Sequence, residues 1–358
     1  MKLGFGFYQN MLDEENIRFA RQCGATHAVV HLVDYTYGGK EAEGPDAQPI
    51  GTEDGWGIAG HTRHLWTKES LSDIQSRLKA HGLHLEAIEN FDPVLWYDIL
   101  LDGPKKREQV EEIKRIVRTA GELGIPIIGY NFSLAGVASR TSGPYARGGA
   151  ESAGMTGVDQ RPVPRGMVWN MWYDTNAEPG VMPDVTVEEL WRRHAWFLEQ
   201  VIPVAEEAGV RLAAHPDDPP MPEIRQTPRL VYEPHMYQWL LDSYRSPSNA
   251  LEFCLGTLME MRSGDIYETV EHYAAQGAIG YVHFRNVRGK VPNYAETFID
   301  EGEIDMAKVL RILKRHGYEG VLIPDHTPQM ACDAPWHAGM AYAMGYMRAL
   351  FKEEGIHE

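Results

Sequence analysis

Short apolar runs alternate with longer amphipathic segments along the chain. Most of the apolar runs are nearly continuous, as expected for strands that are buried on both faces of a sheet. The pattern predicts eight strands: Leu3–Phe7, His27–Leu32, His84–Glu89, Pro126–Phe132, Arg211–His215, Leu251–Leu255, Ile279–Phe284 and Val321–Asp325.

The segments between these strands have helical periodicity. Asp13 and Asp305 are suitable N-caps, and Thr186 with Glu189 forms a capping box. We predict helices at Glu14–Cys23, Glu69–His81, Lys105–Leu123, Val187–Ala208, Pro234–Tyr244, Asp265–Gln276, Met306–His316 and Gly339–Lys352.

Eight strand–helix repeats with short helix-to-strand links predict an α/β protein that is one closed parallel (β/α)8 TIM barrel over residues 1–358. An open doubly wound sheet is the alternative. Such a sheet usually has a glycine-rich phosphate-binding turn after its first strand, but Phe7-Tyr-Gln-Asn-Met11 stands there. The closed barrel is therefore the favoured prediction.

Two connections, residues 34–66 and 133–185, are too long to be simple links. Both follow strands, so we expect both at the face where barrel active sites form, as lids or pocket walls. The alternative is a disordered insertion. Trp169, Trp172 and Tyr173 argue against that alternative in the second loop, because disordered segments are poor in aromatic residues.

The composition excludes several classes of function. With 34 Lys and Arg against 51 Asp and Glu, the formal net charge is −17, which disfavours nucleic-acid and anionic-membrane binding. No apolar run approaches the length of a membrane span, and the N-terminus does not resemble a signal peptide. The three cysteines are dispersed along the sequence, which argues against a disulfide framework. We therefore expect a reducing, cytoplasmic location.

Potential metal ligands end the last four predicted strands. They are His215, Cys254, His283 and Asp325, spaced by about one strand–helix unit each. In a closed barrel these side chains can converge, and thiolate and imidazole favour Zn²⁺, Fe²⁺ or Co²⁺ over Mg²⁺ or Ca²⁺. Each residue also has a simpler interpretation: a hydrogen-bonded histidine, a small buried thiol or a helix cap.

Further polar residues are expected at the same face. Glu89 and Asn131 end the third and fourth strands, and Arg140, Arg229 and Arg285 lie in or next to adjoining loops. Arginine binds carboxylates through paired hydrogen bonds, so these residues are candidates for substrate binding. A simpler interpretation is that Glu89 pairs with an arginine across the barrel mouth.

His326 lies next to Asp325 and could act as an acid or base near a metal, or merely support Asp325.

Several motifs resemble the mannonate dehydratase family, whose members are metal-dependent and have a xylose-isomerase-like barrel. The most specific is His215-Pro-Asp-Asp-Pro-Pro220, within a longer similar segment that starts at Val201. Shorter motifs occur in the same order: Tyr130–Phe132, Thr227–Arg229, Cys254–Thr257, His283–Arg285, Gly302–Met306 and Pro324–His326.

The resemblance implies dehydration of the sugar acid D-mannonate to 2-dehydro-3-deoxy-D-gluconate, one divalent metal ion, commonly Mn²⁺, and a homo-oligomer. It assigns the metal to His215, Cys254, His283 and Asp325, and it makes His326 catalytic. Spacing places Trp336 where the family has a catalytic tyrosine, so we expect Trp336 at the substrate. A sugar isomerase or epimerase on the same barrel, and a non-catalytic protein that binds sugar acids, are the rival hypotheses.

Overall fold

Eight parallel strands form a closed barrel in the computed structural model, which describes residues 1–39 and 55–356. Part of the predicted loop 34–66, residues 40–54, lies outside the described residues. The strands pair in the order first, eighth, seventh, sixth, fifth, fourth, third, second, which closes the ring. The predicted TIM barrel is thus confirmed. Its strands are Lys2–Tyr8, His27–His31, His84–Glu89, Ile127–Tyr130, Arg211–Ala214, Asn249–Cys254, Ile279–His283 and Val321–Ile323.

Apolar side chains fill both sides of the barrel wall. The interior cluster combines small and branched residues with one tyrosine, taken from the second to the eighth strand, which fit within the ring: Val29, Ala87, Ile127, Ala213, Ala250, Tyr281, Val321 and Ile323. A larger cluster fills the space between the strands and the surrounding helices. Burial on both faces explains why the strands have near-continuous apolar sequences.

The predicted helices are present with small shifts at their ends, and two further helices occur at Pro93–Leu101 and Leu255–Glu260. Asp13, Thr186 and Asp305 cap their helices as predicted, and Thr186 forms its capping box with Glu189. The helices are Glu14–Gln22, Lys68–Ala80, Pro93–Leu101, Lys106–Glu122, Val187–Ala208, Met236–Ser243, Leu255–Glu260, Ile266–Ala275, Met306–Arg315 and Pro335–Glu353. Within the described part of the chain, none of them is long and apolar enough to cross a bilayer.

A second, antiparallel sheet joins two loops that are distant in sequence. We call it the cap sheet; its strands are Thr141–Ala146, Ala150–Thr156, Asn293–Thr297 and Asn286–Lys290, paired in that order. The first hairpin belongs to the long loop after the fourth barrel strand, and the second follows the seventh strand. The two connections are therefore held together by backbone hydrogen bonds on the same side of the barrel.

Smaller elements complete the described structure. Short antiparallel pairs form between Met167–Val168 and Met171–Trp172, and between Glu223–Ile224 and Thr227–Pro228. Single 3-10 turns lie at Gln9–Met11, Arg63–Trp66 and Arg147–Gly149.

Candidate metal centre and active site

A cavity opens at the carboxyl ends of the barrel strands. Residues that end or follow these strands form its floor, and residues of both long loops, among them Tyr35, Trp56 and Trp169, form its walls. The lining consists of Tyr8, His31, Tyr35, Trp56, Glu89, Asn90, Asn131, Val137, Arg140, Trp169, His215, Asp218, His283, Asp325 and His326.

Three of the predicted metal ligands converge. One ligand atom each from His215, Cys254 and His283 lies within 4.8 Å of the others. These residues belong to the fifth, sixth and seventh strands, which are neighbours in the barrel. We call these three residues the outer group.

The local contacts of the outer group suit a cation. The Thr257 hydroxyl donates to the Cys254 sulfur at 3.1 Å. Burial opposes ionisation of the thiol, but Arg285 and the two histidines outweigh it and lower the pKa of Cys254 well below its usual value. His215 Nδ1 lies 2.6 Å from the Pro216 carbonyl, so Nδ1 donates to that carbonyl and Nε2 is the nitrogen available to a metal.

Asp325 lies beside the outer group. Its Oδ2 is 3.4 Å from His283 Nδ1, a buried nitrogen that has no hydrogen-bond partner in the described structure. Asp325 has a φ of 63°, which turns the backbone abruptly where the eighth strand ends. His283 Nδ1 and the Asp325 carboxylate therefore face each other without a hydrogen bond, and thiolate, imidazole and carboxylate together suit a borderline divalent metal.

His326 contacts charged groups through both ring nitrogens. Nδ1 lies 2.6 Å from Glu296 Oε2, and Nε2 lies 3.1 Å from Asp325 Oδ2. Glu296 comes from the cap sheet, so a loop element helps to hold a residue of the barrel. Burial opposes ionisation of Glu296, but His326 and Arg140 outweigh it and lower its pKa.

The predicted arginines differ in position. Arg140 lines the cavity, 2.7 Å from Glu296, and its Nε has no hydrogen-bond partner among the described residues. Arg285 is buried beneath the cavity and pairs with Asp218 at 2.9 Å and Glu260 at 2.8 Å. Arg285 thus balances buried carboxylates and does not line the cavity within the described residues.

Arg229 and Trp336 do not reach the cavity, in contrast to the sequence-based expectation. Arg229 is fully buried, pairs with Asp217 at 2.7 Å and donates to the Asp218 carbonyl, so it braces the loop that follows His215. Trp336 is the second residue of the last helix and packs edge-on against Phe5 at 5.7 Å. Spacing alone cannot tell whether a residue in the segment between a strand and the next helix, or at the start of that helix, faces the mouth or the core.

Glu89 and Asn131 line the cavity as expected, but both side chains already have partners within the protein. Glu89 Oε2 lies 3.1 Å from His283 Nε2 and 3.4 Å from His31 Nε2. Burial opposes ionisation of Glu89, but these histidines outweigh it and lower its pKa. Asn131 accepts from Trp169 and donates to the Pro216 carbonyl, so it links the second long loop to the fifth strand.

Sequence reasoning missed several residues of the site. Tyr8, His31 and Asp218 line the cavity, and Glu296 and Thr257 support His326 and Cys254. Thr257 and Asp218 lie within the motifs quoted above, which was an available signal. No signal in the sequence indicated Glu296, because its role depends on the hairpin that follows the seventh strand and folds back over the barrel.

The fold and the site define a xylose-isomerase-like TIM barrel with a candidate metal centre at the carboxyl ends of its strands. The sequence profile described as D-mannonate dehydratase (UxuA) matches residues 56–163 and 175–357. The chain therefore belongs to the D-mannonate dehydratase family, a family of hydro-lyases.

Individual relatives have modest identity. Mannonate dehydratase 2 of Halalkalibacterium halodurans is 29% identical over 275 residues, which covers 73% of this chain and 79% of that protein. A mannonate dehydratase of Lactococcus lactis is 27% identical over 284 residues, or 73% and 78% of the two chains. The solved mannonate dehydratase from Streptococcus suis superposes with a TM-score of 0.74 over 99% of this chain and 95% of that one, at 23% identity, which supports the fold.

Proposed function

We propose that the protein is a metal-dependent hydro-lyase that dehydrates an aldonate-type sugar acid, D-mannonate to 2-dehydro-3-deoxy-D-gluconate or a close analogue. The observation that carries the proposal is the convergence of His215, Cys254 and His283 beside His326, at one cavity, in a chain of this family. The buried donors would hold the metal, and His326 lines the same cavity.

The outer group and Asp325 would hold the metal. Mn²⁺ is the ion that family resemblance favours, and the thiolate and imidazoles also accept Fe²⁺, Co²⁺ or Zn²⁺. When bound, the ion would stabilise the negative charge that develops at the substrate carboxylate once the C2 proton is removed.

Arg140 would bind the substrate carboxylate. It lines the cavity, is 5% exposed, and keeps an unpaired Nε–H while Glu296 holds its Nη2. Tyr35, Trp56 and Trp169 would enclose the carbon chain and keep water away.

His326 would protonate the departing C3 hydroxyl, because it lines the cavity and its Nδ1 is held by Glu296.

A base must also take the C2 proton. Tyr35 already bonds His31 and Asn90, whereas the Tyr8 hydroxyl has no hydrogen bond in the described structure. Burial and the nearby Asp325 raise the pKa of Tyr8, so Tyr8 would act only with a cation bound nearby.

A panel of aldonates in deuterated water, with Mn²⁺ or another divalent metal, tests the proposal. The expected result is a 2-keto-3-deoxy acid from one or a few of these sugar acids. Deuterated substrate isomers without loss of water would instead identify an epimerase or isomerase. Binding of an aldonate without any turnover would identify a non-catalytic protein, and either of these results would overturn the proposal.

A further inference from the structure

A second set of ligand-type residues lies directly next to the outer group. Ligand atoms of Glu89, Glu252 and His283 come within 4.8 Å of one another, and all three residues are buried. We call them the inner group. His283 is common to both groups, and its two ring nitrogens face different partners: Nδ1 faces Asp325, and Nε2 faces the two glutamates.

The spacing of the inner group matches ligands that surround one ion. His283 Nε2 lies 3.1 Å from Glu89 Oε2 and 3.2 Å from Glu252 Oε1. Metal–nitrogen and metal–oxygen bonds of about 2.1 Å place neighbouring ligand atoms roughly 3.0 Å apart in octahedral and 3.4 Å apart in tetrahedral geometry. Small adjustments of the side chains would therefore admit a cation.

Glu252 is the most deeply buried of the three residues. It is 0% exposed, and its carboxylate oxygens make no hydrogen bond of ordinary geometry in the described structure, although His283 Nε2 lies 3.2 Å and His215 Nε2 3.9 Å from Oε1. A buried carboxylate is costly unless a cation or a proton compensates it, and a divalent ion among these ligands would do so.

We propose that Glu89, Glu252 and His283 form a second divalent-cation site, so that the chain binds two ions bridged by the His283 ring. The ring would bridge them as an imidazolate, and its N–H proton would be released to solvent when the second ion binds. Two carboxylates and one imidazole suit Mn²⁺ or a similar divalent ion. This inner site does not depend on which sugar acid is the substrate.

Metal counting tests the inner site without any activity measurement. Protein depleted of metal by a chelator is reloaded with Mn²⁺ alone, desalted and analysed by mass spectrometry of the metal. We expect about two ions per chain in the wild type, and about one in Glu252→Gln and in Cys254→Ser, since each variant loses a different site. Glu86→Gln is the matched control, because Glu86 is a buried glutamate in the third strand that pairs with Lys2 away from the cavity, and it should keep both ions.

The wild-type count alone can refute the inner site, even where a variant fails to fold. One ion per chain that is lost in Glu252→Gln would make Glu252 a ligand of a single centre. One ion that is retained in Glu252→Gln would mean that Glu252 is merely protonated, since burial and Glu89 raise its pKa and a proton competes for the same place. A wild type that dehydrates an aldonate with one ion would overturn the inner site and leave the proposed function intact.

Discussion

His326 is the residue with the clearest catalytic position, because both ring nitrogens contact carboxylates at the cavity. We predict that His326→Asn reduces kcat by about 10²-fold or more, as expected for loss of a general acid. The bound metal and the fold should be retained. Steady-state kinetics and metal analysis check this, with His337→Asn as a control, since His337 contacts Asn16 away from the cavity. Loss of metal in His326→Asn would mean that His326 supports the metal and is not the acid.

A substitution at Trp336 tests whether this residue reaches the substrate, as its spacing in the sequence suggested. The side chain is 6% exposed and packs on Phe5 and Phe19, so a tyrosine there would bury its hydroxyl among apolar groups. We predict that Trp336→Tyr lowers the free energy of unfolding by about 1–3 kcal/mol and does not raise turnover of D-mannonate. Denaturant unfolding and kinetics measure the two effects. A clear gain in D-mannonate turnover would show that residue 336 reaches the substrate after all.

Among individual site residues, the sequence alone could identify those whose position in the fold is fixed by the end of a strand. His215, Cys254 and His283 come together because neighbouring parallel strands end at the same face. Glu252 could not be singled out, since it lies two residues before Cys254 in a strand that is buried throughout. Its importance depends on which strand faces it across the barrel.

The cap sheet connects two active-site loops, and Glu296 is the residue through which it reaches His326. We predict that Glu296→Gln reduces kcat by about tenfold or more, because an amide holds a histidine less firmly than a carboxylate does. KM should change less than kcat, and Glu296→Asp should recover part of the loss. Glu303→Gln, an exposed change beyond the same hairpin, is the control. Equal kinetics in Glu296→Gln and wild type would show that the sheet does not orient His326.

The packing of the fifth helix against the fourth strand predicts a pH dependence of stability. His194, fully buried, bonds the Tyr130 hydroxyl, and burial lowers its pKa to about 3. An unfolded histidine titrates near pH 6.5, so the unfolded state gains a proton below that pH while the folded state does not. The free energy of unfolding should therefore fall by about 1.4 kcal/mol per pH unit as the pH drops from about 6.5 towards 3.

Urea unfolding of wild type and His194→Phe between pH 7 and pH 4 isolates the contribution of His194 to the pH dependence of stability. The variant is expected to be less stable at pH 7, because Tyr130 loses its partner, but its stability should decline less steeply with falling pH. Tyr130→Phe serves as a control that retains the histidine and should keep the steep decline. Identical slopes in His194→Phe and wild type would contradict a neutral buried His194.

Local sequence predicted the barrel elements better than the cap sheet. Each barrel strand is a compact apolar run, and a capping box such as Thr186 with Glu189 is visible within four residues. The cap sheet pairs Ala150–Thr156 with Asn293–Thr297, which are far apart in sequence and rich in polar residues. Such pairing depends on the barrel having brought the two loops together, so no local pattern indicates it.

The two ends of the barrel use charged residues differently: those at one end stabilise the fold, and those at the other end surround the cavity. Near the start of the strands, Lys2 pairs with Glu86, and Arg211 donates to backbone carbonyls. At the other end, buried carboxylates, histidines and arginines surround the cavity. This arrangement follows the general division of TIM barrels into a stabilising face and a catalytic face.

The most direct test of the proposed activity measures conversion of D-mannonate by metal-depleted and Mn²⁺-reloaded protein, with product followed by NMR. We expect no conversion without metal and, after reloading, formation of 2-dehydro-3-deoxy-D-gluconate at a rate in the ordinary enzyme range of about 1–10³ s⁻¹. Close aldonate analogues are measured in the same way, and turnover of one of these in place of D-mannonate would still agree with the proposal. Equal turnover before and after depletion, or no keto-deoxy acid from any aldonate with any divalent metal, would contradict it.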